Sequence, residues 1–153
     1  MSKNKKTYNH EIENRKARHD YHILETLEAG MLLTGNEVKS IRLGQISLRE
    51  SYVHVVQGEA FLEGAHISPY EFDTGKNHQS IRSIKLLLHK KEIHNIKDQL
   101  QLKRLTVVPL KLYFTRGKAK LKIGIAKGKQ SFDKRESKKE KSIERDLQRR
   151  FKN

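Results

Sequence analysis

A chain of 153 residues is long enough for one compact domain with appendages and too short for two full cores. Having no cysteine, it can form neither a disulfide framework nor a thiolate metal site, and 35% hydrophobic residues leave some segments outside the core. A net charge of +15 is the footprint of a polyanion binder; no apolar run approaches the ~20 residues of a membrane-spanning helix and Met1 to Lys6 lack a signal-peptide apolar stretch, so a cytoplasmic protein with no membrane partner is expected.

Residues 1–13, with Lys3, Lys5 and Lys6, are too poor in apolar side chains to fold alone and read as a flexible basic arm. From Tyr21 the pattern turns to short apolar stretches, Tyr21 to Leu27, Met31 to Leu33, Tyr52 to Val56 and Ala60 to His66, which predict strands with turns at Gly30, Gly58 and Gly64. Thr34-Gly35-Asn36-Glu37 predicts a capping box opening a short helix that ends near Gly44, with Lys39 and Arg42 on its polar face. His66 to Ser80 reads as a loop, Arg82 to Leu88 as a strand, and Ile93, Ile96 and Leu100 predict a helix over Lys90 to Leu102. Thr106 to Phe114 is a strand whose Pro109 requires an edge position or a bulge. In Lys118 to Ala126, Ala119, Leu121, Ile123 and Ile125 alternate with Lys118, Lys120 and Lys122, so one face is buried and the other displays a row of ammonium groups.

Several short antiparallel strands with two or three flanking helices predict a mainly β domain over 14–130, an OB-like antiparallel β-barrel of the kind that often carries nucleic-acid sites. Residues 131–153 form a basic tail whose large apolar residues from Asp133 onward are Ile143, Leu147 and Phe151, spaced by four; such a segment is expected to be disordered when free and helical when bound.

Candidate RNA contacts follow from side-chain chemistry. Asn14, Lys16 and Arg18 offer donors to phosphate and ribose, and His19 and Tyr21 offer rings to splayed bases, although Tyr21 serves equally well as a core anchor. Lys39, Arg42, Lys120, Lys127 and Lys129 are phosphate candidates, whereas Glu37 already has a structural task in the capping box. Catalytic patterns are missing: His89 and His94 are five apart rather than four, and there is no Gly-x-Ser-x-Gly elbow and no phosphate-binding glycine loop. No enzymatic activity, cofactor or metal is expected.

Five blocks in order, NRKARHDY from Asn14, EAGMLLTGNEVKSIR from Glu28, LLLHKKEI from Leu86, VPLKLYF from Val108 and IAKGKQSFDKR from Ile125, resemble the signature of the SmpB family, the tmRNA-binding proteins of trans-translation. The resemblance implies an OB-like fold and binding to the tRNA-like domain of tmRNA near its elbow. It also implies delivery to stalled ribosomes together with elongation factor Tu, a tail that enters the empty mRNA channel, and a monomeric protein. Residue by residue, Glu28, Leu87 and Lys120 fall where the family has positions tied to tmRNA binding, Leu87 only if it faces outward beside Leu86 and Leu88. Asp133, Lys134 and Arg135 match a motif needed on the ribosome, while Arg145, Arg149, Arg150 and Phe151 would contact ribosomal RNA along the tail. Two departures stand out: Phe132 replaces a histidine found in some relatives, and Arg104 replaces a usual glycine. The competing expectation is a ribosomal or general structured-RNA-binding protein.

Overall fold

The structure, a computed structural model, describes residues 11–71 and 80–151. In chain order these form β1 (Ile12–Glu13), α1 (Arg15–Asp20), β2 (Tyr21–Met31), α2 (Gly35–Arg42), β3 (Ile46–Ser47), β4 (Tyr52–Val56), β5 (Glu59–Glu63), β6 (His66–Ile67), β7 (Ile84–Leu87), α3 (Lys90–Leu102), β8 (Thr106–Thr115), β9 (Lys118–Gly128) and α4 (Ser131–Phe151). The protein is mainly β, with α1 to α3 flanking the strands and α4 formed by the basic C-terminal segment.

Strands β8, β4, β5, β7, β2 and β9 pair in that order, and β9 pairs back onto β8, so the hydrogen-bonded ladder returns on itself as a ring. Alternation then decides what lies inside: Ala29 and Met31 of β2, Ala60 and Leu62 of β5, Ile84 and Leu86 of β7, Leu112 of β8, and Leu121, Ile123 and Ile125 of β9 are buried in one cluster. Ile41 of α2 and Ile96 of α3 plug into the same cluster and are fully buried. A smaller cluster of Ala17, Val108, Leu110 and Ala126 lies under α1, with Tyr21 and Ile23 packed against it.

Sequence periodicity placed several elements correctly. The α3 bounds are those expected, and the Thr34 capping box is present: Thr34 Oγ1 accepts from the Glu37 backbone N at 3.2 Å, and Glu37 Oε1 accepts from the Thr34 backbone N at 2.8 Å. Pro109 sits at a register shift between β8 and β9, where the ladder hydrogen bond it cannot donate is not required. Gly58 and Gly64 take left-handed backbone at φ 74° and 81°, as their turn positions demand.

Other expectations need correction. Gly30 makes no turn: it lies inside the long strand β2, paired with Leu87 on one side and Lys120 on the other, and a Cβ there would stand 3.1 Å from Leu87 Cβ. Glycine at this point lets Leu87 close over the strand. The loop expected from His66 begins instead with β6, which pairs with β3. Helix α1 was not foreseen. The expected basic arm mostly lies outside the described residues, but its inner end is structured, because Ile12 and Glu13 pair with Leu112 and Lys111 of β8.

Candidate nucleic-acid interface

The outward face of β9 and its neighbours gathers residues that are far apart in sequence. Lys120 of β9 stands opposite Gly30 of β2 and opposite Tyr113 of β8, and Gly30 in turn stands opposite Leu87 of β7. One step along the same face, Glu28 stands opposite Lys122. Leu87 is 51% exposed between buried Leu86 and half-buried Leu88, so its side chain projects outward as its proposed role requires. Glu28, Gly30, Lys85, Leu87, His89 and Lys120 line a common groove. A second hollow shares Gly30, Leu87 and Lys120 and extends to Val38 and Lys118.

Two further basic side chains come from α2. The Arg42 guanidinium lies 5.5 Å from the Phe114 ring centroid and donates to the Gly117 carbonyl at 3.5 Å, which places its charge at the β8–β9 turn beside Lys118. Lys39 is exposed with its ammonium 5.3 Å from the Tyr70 ring. What ties α2 to the segment just before β7 is an ion pair that sequence reasoning missed: Arg82 donates from Nε to Glu37 Oε2 at 2.9 Å and from Nη2 to Glu37 Oε1 at 2.6 Å, and reaches the Leu32 carbonyl at 3.2 Å. Burial alone would push the Glu37 carboxyl up, but the hydrogen bonds from Arg82 and Thr34 and the charge of Arg82 outweigh it and hold the carboxyl below its ordinary range.

Tyr113 is a second missed residue. Its hydroxyl donates to Glu28 Oε2 across the β9 ridge, which fixes where that carboxylate points. Burial, with the hydrogen bond to Glu28 and the charge of Glu28 adding to it, pushes the Tyr113 phenol up to about 12, so it remains a donor throughout the physiological range. Its position opposite Lys120 follows only from the β8–β9 register, which no local pattern reveals.

The α1 candidates lie elsewhere. Tyr21 pairs with Gly128 at the far end of the same β2–β9 ladder, some ~30 Å along the strand from Gly30. Asn14 must be withdrawn as an RNA donor: it is buried, its amide donates to the carbonyls of Leu48 at 3.2 Å and Pro109 at 2.9 Å, and its Oδ1 accepts from the Ala17 N at 3.3 Å as the α1 cap. Tyr21 is half-buried against the cluster under α1, which favours the anchor reading over base stacking. Lys16 is bonded to the exposed Glu50, and His19 Nδ1 lies 2.9 Å from Asp20 Oδ1. Arg18 and Lys127 are exposed; the Lys129 backbone N donates to the Asp20 carbonyl at 2.8 Å, tying the end of β9 to α1.

On α4, Arg135, Arg145 and Arg149 are exposed, as are Ile143 and Leu147 on one stripe. The side chains of Asp133, Lys134, Arg150 and Phe151 lie outside the described residues. Among the described residues no helix is long and apolar enough to cross a membrane, and no group of three or more histidine and carboxylate side chains is placed to hold a metal ion.

Comparison with known proteins adds a second line of observation. The family described as "SmpB protein" matches residues 11–153. An SsrA-binding protein of Enterococcus hirae is 50% identical over 141 residues, covering 92% of both chains, and one of Ligilactobacillus salivarius is 49% identical over 153 residues, covering 100% of this chain and 99% of that one. A solved structure described as "tmRNA-SmpB: a journey to the center of the bacterial ribosome" is similar with a TM-score of 0.66 and 48% identity, over 79% of this chain and 85% of its own.

Proposed function

This chain belongs to the SmpB family, and from that premise we propose that it binds the tRNA-like domain of tmRNA and delivers it to stalled ribosomes for trans-translation. The observation that carries this reading is the convergence of Glu28, Leu87 and Lys120, far apart in the chain, on one groove. An outward leucine flanked by a lysine and an oriented carboxylate suits a folded RNA: Lys120 meets phosphate, Glu28 accepts from base or ribose donors, and Leu87 offers an apolar surface to a sugar or base face. Lys39, Arg42 and Lys118 extend the positive rim. Lys16, Arg18, His19, Lys127 and Lys129 form a separate group around α1, available to a second RNA segment.

In the same reading the strand ring is an OB-like barrel over residues 14–130, and 1–13 is a basic arm shortened at its inner end. The tail, 131–153, whose Ser131–Phe151 stretch is already helix α4 in the chain alone, occupies the empty mRNA channel as that helix. There Asp133, Lys134 and Arg135 act at the hinge, and Arg145, Arg149, Arg150 and Phe151 meet ribosomal RNA. The protein acts in the cytoplasm as a monomer within a delivery complex that includes elongation factor Tu, and it binds RNA without transforming it.

Titration of the protein against the tRNA-like domain of tmRNA, an elongator tRNA and an unrelated hairpin at one fixed salt concentration tests the proposal. Strong preference for the tRNA-like domain is expected. Comparable affinity for all three would instead make this a general structured-RNA-binding protein, and RNA turnover by the purified protein would make it an enzyme.

A further inference from the structure

The hairpin of β4 and β5 carries aromatic rings on its outward face. Tyr52, His54 and Phe61 alternate with buried Val53, Ala60 and Leu62, so all three rings share that face. His54 stacks on Phe61 at 5.9 Å between centroids and 29° between planes, and Tyr52 stands 6.3 Å from His54 at 43°. Tyr52 is 50% exposed. Phe61 stands directly opposite Lys85, and Lys85 shares its outward face with Leu87 two residues on. At the other end Tyr52 helps line the hollow that holds Lys16 and Tyr21. The rings therefore run between the Leu87–Lys120 groove and the α1 group, which are otherwise separate.

The ionic groups on this strip are already matched. Glu63 accepts from Ser83 and lies 3.5 Å from His54 Nδ1, and Glu59 accepts from Lys85 at 3.1 Å. A strip with Tyr52 exposed, His54 and Phe61 half-buried behind it and its carboxylates already partnered is no track for phosphates. Nucleobases, by contrast, stack on aromatic side chains without needing a cation. Resting on the RNA-binding reading above, we infer that the outward face of β4 and β5 is a stacking platform for unpaired nucleobases, continuous with the groove around Leu87 and Lys120. The ligand class is a single-stranded segment, such as one leaving a folded RNA held in that groove.

The full chain is titrated with a short unpaired RNA carrying 2-aminopurine, following its fluorescence at several salt concentrations, and separately with the tRNA-like domain lacking any unpaired extension. Stacking quenches the probe; Tyr52→Ala and His54→Ala should each weaken oligonucleotide binding by about fivefold or more and relieve the quench, and Tyr52→Ala should leave the salt slope unchanged because the tyrosine ring brings no cation. Tyr52→Phe should retain wild-type binding, since it keeps the ring, and affinity for the bare domain should hold in all three variants. Wild-type quenching in both alanine variants overturns the inference and leaves the face to a protein partner; so does an equal loss on both RNAs, which marks the rings as structural. Failure of the wild-type protein to bind the bare domain would instead sink the tmRNA reading while the oligonucleotide titration still judges the platform.

Discussion

Both carboxylate oxygens of Glu37 are engaged, by the helix it caps and by an arginine from the segment that leads into β7, although the residue is 3% exposed. Its folded pKa lies below the ordinary 4.5, so its contribution to stability is present above that value and is lost as pH falls through the depressed one. Glu37→Gln should therefore cost about 2 kcal/mol at neutral pH, less than the ~3–5 of a fully buried pair because Arg82 stays partly exposed. Urea unfolding at pH 7 and near pH 3 checks this: the gap between variant and wild type should close on acidification, and a gap of constant size would deny the pair its role. Tyr113 is the corresponding residue on the RNA side. Tyr113→Phe deletes only the hydroxyl that aims Glu28, so affinity for the tRNA-like domain should fall by ~1 kcal/mol while the salt slope stays as in wild type. Unchanged affinity would mean that Glu28 needs no such orientation. Neither pairing was legible in the sequence, since Glu37 and Arg82 are 45 residues apart and Tyr113 and Glu28 are 85 apart.

At the scale of elements, legibility followed one-sidedness. In β9, Ala119, Leu121 and Ile123 are buried and Lys118 is exposed, so strict alternation revealed both the strand and its display face; past Gly124 the strand is buried on both sides, beneath α1, and the alternation ends with Ala126 inside. Helix α1 stayed hidden because six residues with Ala17 as their one buried side chain leave no periodic trace. Splitting β2 at Gly30 was an error of another kind: glycine there serves close packing by Leu87, not chain reversal, and the two uses look alike in a sequence. The end of α3 shows the converse. Arg104 follows the Lys103 C-cap with φ 50°, the left-handed conformation that a side chain resists and glycine adopts freely. Arg104→Gly should therefore raise stability by about 0.5–1 kcal/mol, visible as a higher thermal midpoint with unaltered RNA affinity. A lower midpoint would mean that the greater freedom of glycine in the unfolded chain outweighs the relieved strain.

For the molecule as a whole, charge and burial divide the labour. The strand ring holds the buried residues, while the described side chains of α4 from Lys138 to Arg149 are all exposed, so the core gains nothing from that stretch. Lys120 sits on the ring, inside the groove; replacing it with alanine should weaken RNA binding by ~1 kcal/mol or less and make the salt dependence shallower by about one phosphate, and an unchanged slope would remove it from the interface. Deleting residues 133–153 is the complementary experiment. Because no buried side chain is lost from the described stretch, the thermal midpoint should hold, and affinity for the tRNA-like domain should stay within about twofold of wild type, as expected when most phosphate contacts lie on the body. Tagging of incomplete proteins on stalled ribosomes should nevertheless disappear, because the segment assigned to the mRNA channel is gone. A truncated protein that rescues ribosomes as well as the full chain would show that recognition and rescue both reside in the strand ring, and that the basic helix serves only to raise the general attraction for RNA.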